Sequence, residues 1–428
     1  MIDFSVPENI AADLAWADDF VREHVAPLDA TFADENVIYD KTHPVHEGYL
    51  RPLQQQVKDR GLWATHLSPE LGGQGYGQVR LALLNEILGR SLFAPSVFGC
   101  QAPDSGNIEI LAGFGTPEQQ DRFLTPLLDG RISSAFAMTE PQGGADPSLF
   151  TTTAVPDGDE WVINGEKWFI SSASHAAFFI LMAITDPDVP VHRGASMFLV
   201  PGDTLGIEIV RRSGMGIEAH GEGNHPYVRF TDVRLPADAL MGEAGAGFTI
   251  AQERLAGGRL HHAMRTVGAL GRCLDMMVER AANRTTRGRS LADNPITRQK
   301  IAEAWVELTQ FRLQVLHAAW TMDRHGAAGA RTEIAGVKVA TPGVYQRAVL
   351  RTMHLHGALG VSNEMPLVRM LISSVALGVA DGPTEVHQAT IARALLRDAH
   401  DPERHWPSEH LPTRRDAARH LFTSIEGI

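Results

Sequence analysis

The chain has 428 residues, 44% of them apolar and 21% charged, enough to bury a sizeable core in two or three domains. Its 38 basic and 51 acidic residues leave a net charge of −13 with no basic tract, which excludes nucleic acid or an anionic membrane as the main partner. Two isolated cysteines, Cys100 and Cys273, exclude a disulfide scaffold or a cysteine zinc site. Met1 to Ser5 lack signal-peptide character, and no apolar run reaches about 18 residues, so a cytoplasmic protein without a membrane span is expected.

Residues 1–133 read mostly as helix. Leu81, Leu84, Ile87 and Leu88 fall on one face of a helix over Arg80–Arg90, set off from the preceding one by Gly72-Gly73-Gln74-Gly75. Thr116-Pro117 reads as a helix start, with proline at the first helical position. From about Ser133 the character changes. Thr151–Val155 and Trp161–Ile163 have strand composition, and Asn164-Gly165 is a two-residue hairpin signal before Trp168–Ile170. Phe178–Ile184 and Ser196–Val200 read as further strands, the first buried. Helix returns at Gly247. One apolar stripe runs through Leu255, Leu260, Met264, Val267, Leu270, Leu274 and Met277, and another through Ile301, Trp305, Leu308, Val315, Ala319 and Met322, as in a packed bundle. The expected division is therefore a helical unit (1–133), a β unit (134–240), a helical bundle (241–398) and a polar tail (399–428) that forms loop or an arm on a neighbouring subunit.

Several chemistries find no support. There is no phosphate-binding loop, no Rossmann glycine fingerprint, no His-Glu-x-x-His and no Gly-x-Ser-x-Gly. His261 and His262 are adjacent and point apart on a helix, and His354 and His356 are no better spaced, so no metal site is expected and a structural or surface role is the simpler reading.

Three segments remain. Phe136-Ala-Met-Thr-Glu-Pro-Gln-Gly-Gly-Ala-Asp146 joins a strand to a glycine-rich turn that lets backbone amides approach a ligand, or merely crosses between domains. Lys167-Trp-Phe-Ile-Ser-Ser172 sets an aromatic ring beside a hydroxyl, or is a core strand. Val379-Ala-Asp-Gly-Pro-Thr-Glu-Val-His387 puts a carboxylate on a loop between helices, or is a turn capped by Thr384.

In this order and at these separations the segments resemble the acyl-CoA dehydrogenase family, over nearly the whole chain from about Gly61 to Arg397. Gly61-Leu-Trp63, Leu71-Gly-Gly-Gln-Gly75, Glu86-Ile-Leu-Gly-Arg90, Asn164-Gly-Glu-Lys167 and Val233-Arg-Leu-Pro236 extend the likeness. Pro103-Asp-Ser-Gly-Asn107, Phe136–Pro141, Gly258–Gly268 and Asp381–His387 are similar to the branch that in some relatives is fused to an aminoglycoside-phosphotransferase-like kinase domain.

The resemblance implies an FAD enzyme with a mainly α fold: a helical N-terminal domain, a β-barrel-like middle domain and a C-terminal four-helix bundle. The flavin would lie between the middle and C-terminal domains of a homodimer or homotetramer. Phe136, Met138, Thr139, Gly144 and Ala145 would wrap the flavin. Phe169, Ile170 and Ser171 stand where the family has Trp-Ile-Thr against the flavin ring. Arg284 matches the arginine that reaches the FAD of the neighbouring subunit, and His354, Gly357 and Ala358 match the stretch that holds its adenosine part. Thr384, Glu385 and Arg393 fall at the remaining cofactor positions. Ala145, Arg259 and Gly382 fall on the substrate side. Several positions depart from the family: Ala145 replaces a serine, Ala256 an acid, His354 a glutamine and Arg287 a phenylalanine.

The implied reaction is α,β-desaturation of an acyl-CoA thioester, with an electron-transfer flavoprotein as electron acceptor. A base takes the α-proton while the β-hydrogen leaves as hydride to flavin. The thioester carbonyl is polarised by a ribityl hydroxyl and the backbone N–H of the base residue. A carboxylate shielded from water is the stronger base. Most relatives use glutamate there; this branch has aspartate, here Asp381, so loop or substrate must sit about 1.5 Å closer. The alternatives are an acyl-CoA or nitroalkane oxidase on the same fold, a flavin monooxygenase, and a non-catalytic assembly protein that keeps the fold.

Overall fold

The computed structural model describes residues 5–32, 34, 36–71, 73–397, 399 and 405–422. Met1 to Phe4 and Gly72 of the glycine run lie outside them. The N-terminal part is helical, with α1 (Glu8–Phe20), α2 (Arg51–Asp59), α3 (Gly77–Leu88) and α4 (Asp104–Phe114). Thr116 caps the next turn as a capping box with Gln119, and Pro117 follows it, as the sequence pattern requires.

Eight strands follow: β1 (Ser134–Ala137), β2 (Thr153–Asp157), β3 (Glu160–Lys167), β4 (Phe178–Ile184), β5 (Ala195–Pro201), β6 (Ile207–Arg211), β7 (Tyr227–Pro236) and β8 (Leu240–Met241). They form one sheet in the order β6-β7-β3-β2-β4-β5-β8, with β1 parallel to β4. The alternation of β4 explains its continuous apolar sequence. Phe178, Ile180 and Met182 join the core of the N-terminal helices, while Phe179, Leu181 and Ala183 join the core of the sheet itself.

The Asn164-Gly165 hairpin is not there. Both residues lie inside β3, where the register against β7 shifts between Ile163 and Gly165. Gly165 is needed for close approach, because a Cβ there would meet the Thr152 Cα at 2.6 Å. The turn that joins β2 to β3 is instead at Gly158, whose φ is +68°. Trp168–Ile170 is correspondingly not a strand.

The C-terminal bundle comprises α5 (Gly247–Asn283), α6 (Pro295–Gly329), α7 (Arg331–His356), α8 (Leu367–Ala376) and α9 (Thr384–Leu396). α5 and α3 touch backbone to backbone, since a Cβ on Gly268 would meet the Glu86 carbonyl oxygen at 2.0 Å. The α5 stripe packs inward through Leu260, Met264, Val267, Leu270 and Met277. The α6 stripe holds at Val315 and Ala319, which are buried, but not at Trp305, which is 58% exposed; Ala304 and Phe311, outside the stripe, also fill the core. The polar tail is not all loop, because α10 (Leu411–Ala418) lies within it; residues 401–404 and 423–428 lie outside the described residues.

Candidate active site

Asp381 sits between α8 and α9 with a left-handed backbone, φ +54°, followed by Gly382 at φ +94°. The loop is held by its own main chain. Arg259 Nε donates to the Asp381 carbonyl at 2.9 Å, and His387 Nε2 lies 3.3 Å from the same oxygen. Thr384 is the first residue of α9 rather than its cap; Pro383 holds the capping position. The Thr384 hydroxyl donates back to the Gly378 carbonyl at 3.2 Å. Lys338 reaches from α7 to the Leu377 carbonyl.

The Asp381 carboxylate points at α5. His262 Nε2 lies 3.6 Å from Oδ2, and a Cβ on Gly258 would sit 3.6 Å from the same oxygen. Arg254, Arg265 and Lys338 complete a cationic surround. Burial pulls the pKa of each of the three down, and the Asp381 charge opposes that shift. Burial also pulls the pKa of His262 down to about 4, assisted by Arg265 and opposed by Asp381. Arg254 lies 4.1 Å over the Phe136 ring and donates to Asn107 Oδ1 at 2.8 Å, which ties β1, α4 and α5 together. Two acids on α4, Asp104 and Glu109, also face Arg254; burial pushes the Glu109 pKa up to about 7, and Arg254 opposes that rise.

The middle-domain residues form a second group. Met138 and Thr139 are anchored through their carbonyls, the first by Lys167 Nζ at 2.9 Å and the second by the Trp168 N–H at 2.9 Å. Gly144 and Ala145 are exposed on the turn beyond Glu140. Phe169 has φ +57° and lies flat on Trp168, with ring centroids 4.7 Å apart and planes 7° apart. Its other face is open, the residue being 56% exposed. Ile170 is buried, and the Ser171 hydroxyl is 2.9 Å from His225 Nδ1. An open groove of about 530 Å³ is lined by Asp146, Ser148, His192 and Phe248 among others; Ala145 is not among the residues that line it.

A third group stands apart. Arg284 is exposed where α5 ends, and His354, Gly357 and Ala358 are exposed where α7 ends. Arg280 Nη2 donates to the His356 carbonyl at 3.4 Å, so both helix ends share one end of the bundle. Measured along α5 at 1.5 Å per residue, Arg284 is about 33 Å from His262. Glu385 and Arg393 are exposed on α9, with Arg393 Nε donating to the Ala389 carbonyl at 3.3 Å.

Sequence reasoning passed over Arg254, His262, Arg265, Lys338 and His387. For those on α5 a signal was present: Arg254, Gly258, His262 and Arg265 recur at helical spacing on one face.

The amino-acid sequence matches the acyl-CoA dehydrogenase N-terminal domain over residues 12–131, the middle domain over 135–233 and the C-terminal domain over 245–396. The chain belongs to the acyl-CoA dehydrogenase family of flavoprotein oxidoreductases. It is 42% identical over 384 residues to "Probable acyl-CoA dehydrogenase FadE2" of Mycobacterium tuberculosis, covering 88% of this chain and 93% of that protein. It is 38% identical to human acyl-CoA dehydrogenase family member 11, covering 89% of this chain but spanning only 49% of that longer protein. Among solved structures, butyryl-CoA dehydrogenase from Megasphaera elsdenii superposes with a TM-score of 0.79 at 27% identity, covering 92% of this chain and all of the other. Among the described residues no helix is long and apolar enough to cross a membrane.

Proposed function

We propose that the chain is an FAD-dependent acyl-CoA dehydrogenase, divided at about residues 133, 240 and 398, that desaturates an acyl-CoA thioester between its α and β carbons. It would belong to the branch that uses aspartate as base and that in some relatives carries a kinase-like domain. The observation that carries this reading is the placement of Asp381. Its carboxylate is four-fifths shielded from solvent, faces a helix bared by Gly258, and sits on a loop whose carbonyl is gripped by Arg259.

The residues present fit a flavin. A flat aromatic face, Phe169 backed by Trp168, is turned outward at a fixed backbone angle. The Ser171 hydroxyl keeps hydrogen-bonding capacity beyond its contact with His225, which burial keeps neutral. FAD, when bound, supplies the acceptor for the β-hydride. Asp381 takes the α-proton, and its backbone N–H polarises the thioester carbonyl. The groove lined by Asp146, His192 and Phe248 is the candidate path for coenzyme A.

The 33 Å between His262 and Arg284 supports a cofactor site shared between subunits, Arg284, His354, Gly357 and Ala358 serving the neighbour's FAD. Trp305, Val306, Leu313 and Trp320, all exposed on α6, are the apolar surface such an oligomer would cover. We expect a cytoplasmic homodimer or homotetramer that passes electrons to an electron-transfer flavoprotein. The test is anaerobic titration of the purified yellow protein with butyryl- to palmitoyl-CoA. Bleaching of the flavin in the native chain and its loss in Asp381→Asn support the reading; a colourless chain that binds no FAD overturns it.

A further inference from the structure

We infer that His262 is a positioning residue for Asp381: its imidazole presents Nε2–H to the Asp381 carboxylate and holds the short acid in the orientation from which it takes the α-proton. The inference rests on the reading of Asp381 as the base.

Three observations carry it. First, the Asp381 main chain is fixed while its carboxylate is not. Arg259 and His387 both address the carbonyl, and among the described residues no group donates a hydrogen bond to either carboxylate oxygen. The side chain is free to turn about two torsions. Second, His262 Nε2 is the donor standing nearest in the right direction. At 3.6 Å it is beyond hydrogen-bond range, and contacts of this kind shorten when substrate fills the site. Gly258, one turn earlier on α5, leaves the path between them clear.

Third, the charge on the donor matters. Arg254 and Arg265 flank His262 on α5, Lys338 faces it from α7, His261 adjoins it and Asp381 opposes it. Burial within that positive field keeps His262 neutral at ordinary pH. A guanidinium or ammonium at this distance would stabilise the carboxylate and blunt it as a base. A neutral imidazole orients the acid at a smaller cost in basicity.

The experiment measures anaerobic flavin reduction in the holoenzyme, using whichever acyl-CoA of a butyryl- to palmitoyl-CoA series bleaches the native flavin fastest. His262→Leu removes the donor. His262→Gln keeps an amide N–H near the position of Nε2, and His262→Asn keeps one too short to reach. We expect H262L and H262N to slow reduction about 10- to 100-fold, the scale of a misplaced reacting group, with the dissociation constant for acyl-CoA nearly unchanged. H262Q should recover most of the rate. Losing the donor disfavours the ionised acid, so the acidic limb of the pH profile should move to higher pH in H262L and return in H262Q. A role confined to packing would scale the rate without moving that limb. Should H262L fail to fold, the contrast between H262Q and H262N carries the test. Native rate and an unmoved limb in H262N overturn the inference. Asp381→Asn, run in parallel, separates the two readings. If it is slow while H262N is native, only the role of His262 falls. If it is fast, or if no acyl-CoA bleaches the native flavin, the assignment of the base falls and His262 with it.

Discussion

The Lys167 ammonium and the Glu140 carboxylate meet at 2.8 Å with their side chains 0% and 1% exposed. Glu140 also accepts from the backbone N–H groups of Thr151 and Thr152, and Lys167 also donates to the Met138 carbonyl. The pair therefore ties both ends of the 138–152 loop to β3. Burial drives the Lys167 pKa down to about 8, and Glu140 keeps it from falling further. Burial alone would raise the carboxyl of Glu140, but Lys167 and the backbone donors hold it low and ionised.

Breaking that pair should cost stability and cofactor together. Lys167→Met strands a buried carboxylate, a change worth about 3–5 kcal/mol. The expected result is a clear fall in thermal midpoint and a fall in flavin absorbance per protein after gel filtration. An unchanged midpoint would mean that Glu140 finds another partner.

Asp381→Asn is nearly isosteric, so FAD and acyl-CoA should still bind while flavin reduction slows by about 10²-fold or more. Asp381→Glu keeps the charge but lengthens a side chain that already lies close to Gly258 and His262. Its rate should fall between the native enzyme and Asn, read by anaerobic stopped-flow. A Glu variant as fast as native would show that the site has slack.

Arg284→Ala should lower FAD retention and loosen the oligomer while leaving the secondary structure intact, since the residue is exposed at the end of α5. Analytical ultracentrifugation with absorbance at the flavin band reads both at once. A stable monomer with full FAD would refute shared cofactor sites.

Glu109 sets a pH dependence. Its folded pKa of about 7 lies above its ordinary 4.5, so the folded state keeps a proton that the unfolded chain releases first. Stability from this group is full below pH 4.5, declines as pH rises from there to about 7, and is flat above. Relative to Glu109→Gln, the native protein should lose up to about 3 kcal/mol across that window, at 1.36 kcal/mol per pH unit. Denaturant melts of both proteins at pH 5 and pH 8 give the difference directly. Parallel behaviour would place the proton elsewhere.

Electrons should leave faster to an electron-transfer flavoprotein, or to an artificial dye, than to oxygen, if bound product shields the reduced flavin. Steady-state rates with each acceptor, with peroxide assayed in air, decide the matter. Comparable peroxide production would make the enzyme an oxidase.

The sequence made the helix–sheet–helix order readable because apolar periodicity switches at Ser133 and again at Gly247, and burial respects it in β4 and α5. It misled at Asn164-Gly165, where the same dipeptide that makes a hairpin turn serves a bulge, a choice made by the approach of Thr152. Trp305 departs from its stripe, whose Val315 and Ala319 are buried: periodicity marks a face of a helix, not how much of that face the neighbouring helices cover. Of the proposed site, Asp381 and Phe169 are marked in the sequence by short motifs. His262 was hidden because adjacency to His261 argued only against a shared metal, and its partner lies more than a hundred residues downstream.

The left-handed backbone of Asp381 bears on how this protein can change over evolutionary time. Side chains with a Cβ pay roughly 1–2 kcal/mol in that conformation, and aspartate, asparagine and glycine tolerate it best. Glutamate is therefore disfavoured at this position by the main chain as well as by the space around it. The substitutions the loop admits most easily are Asn and Gly, neither of which can take a proton. With Asp381 as the proposed base, a lineage that drifts here would keep its architecture and lose its chemistry, so an inactive descendant would be recognised by reading residue 381 before anything else.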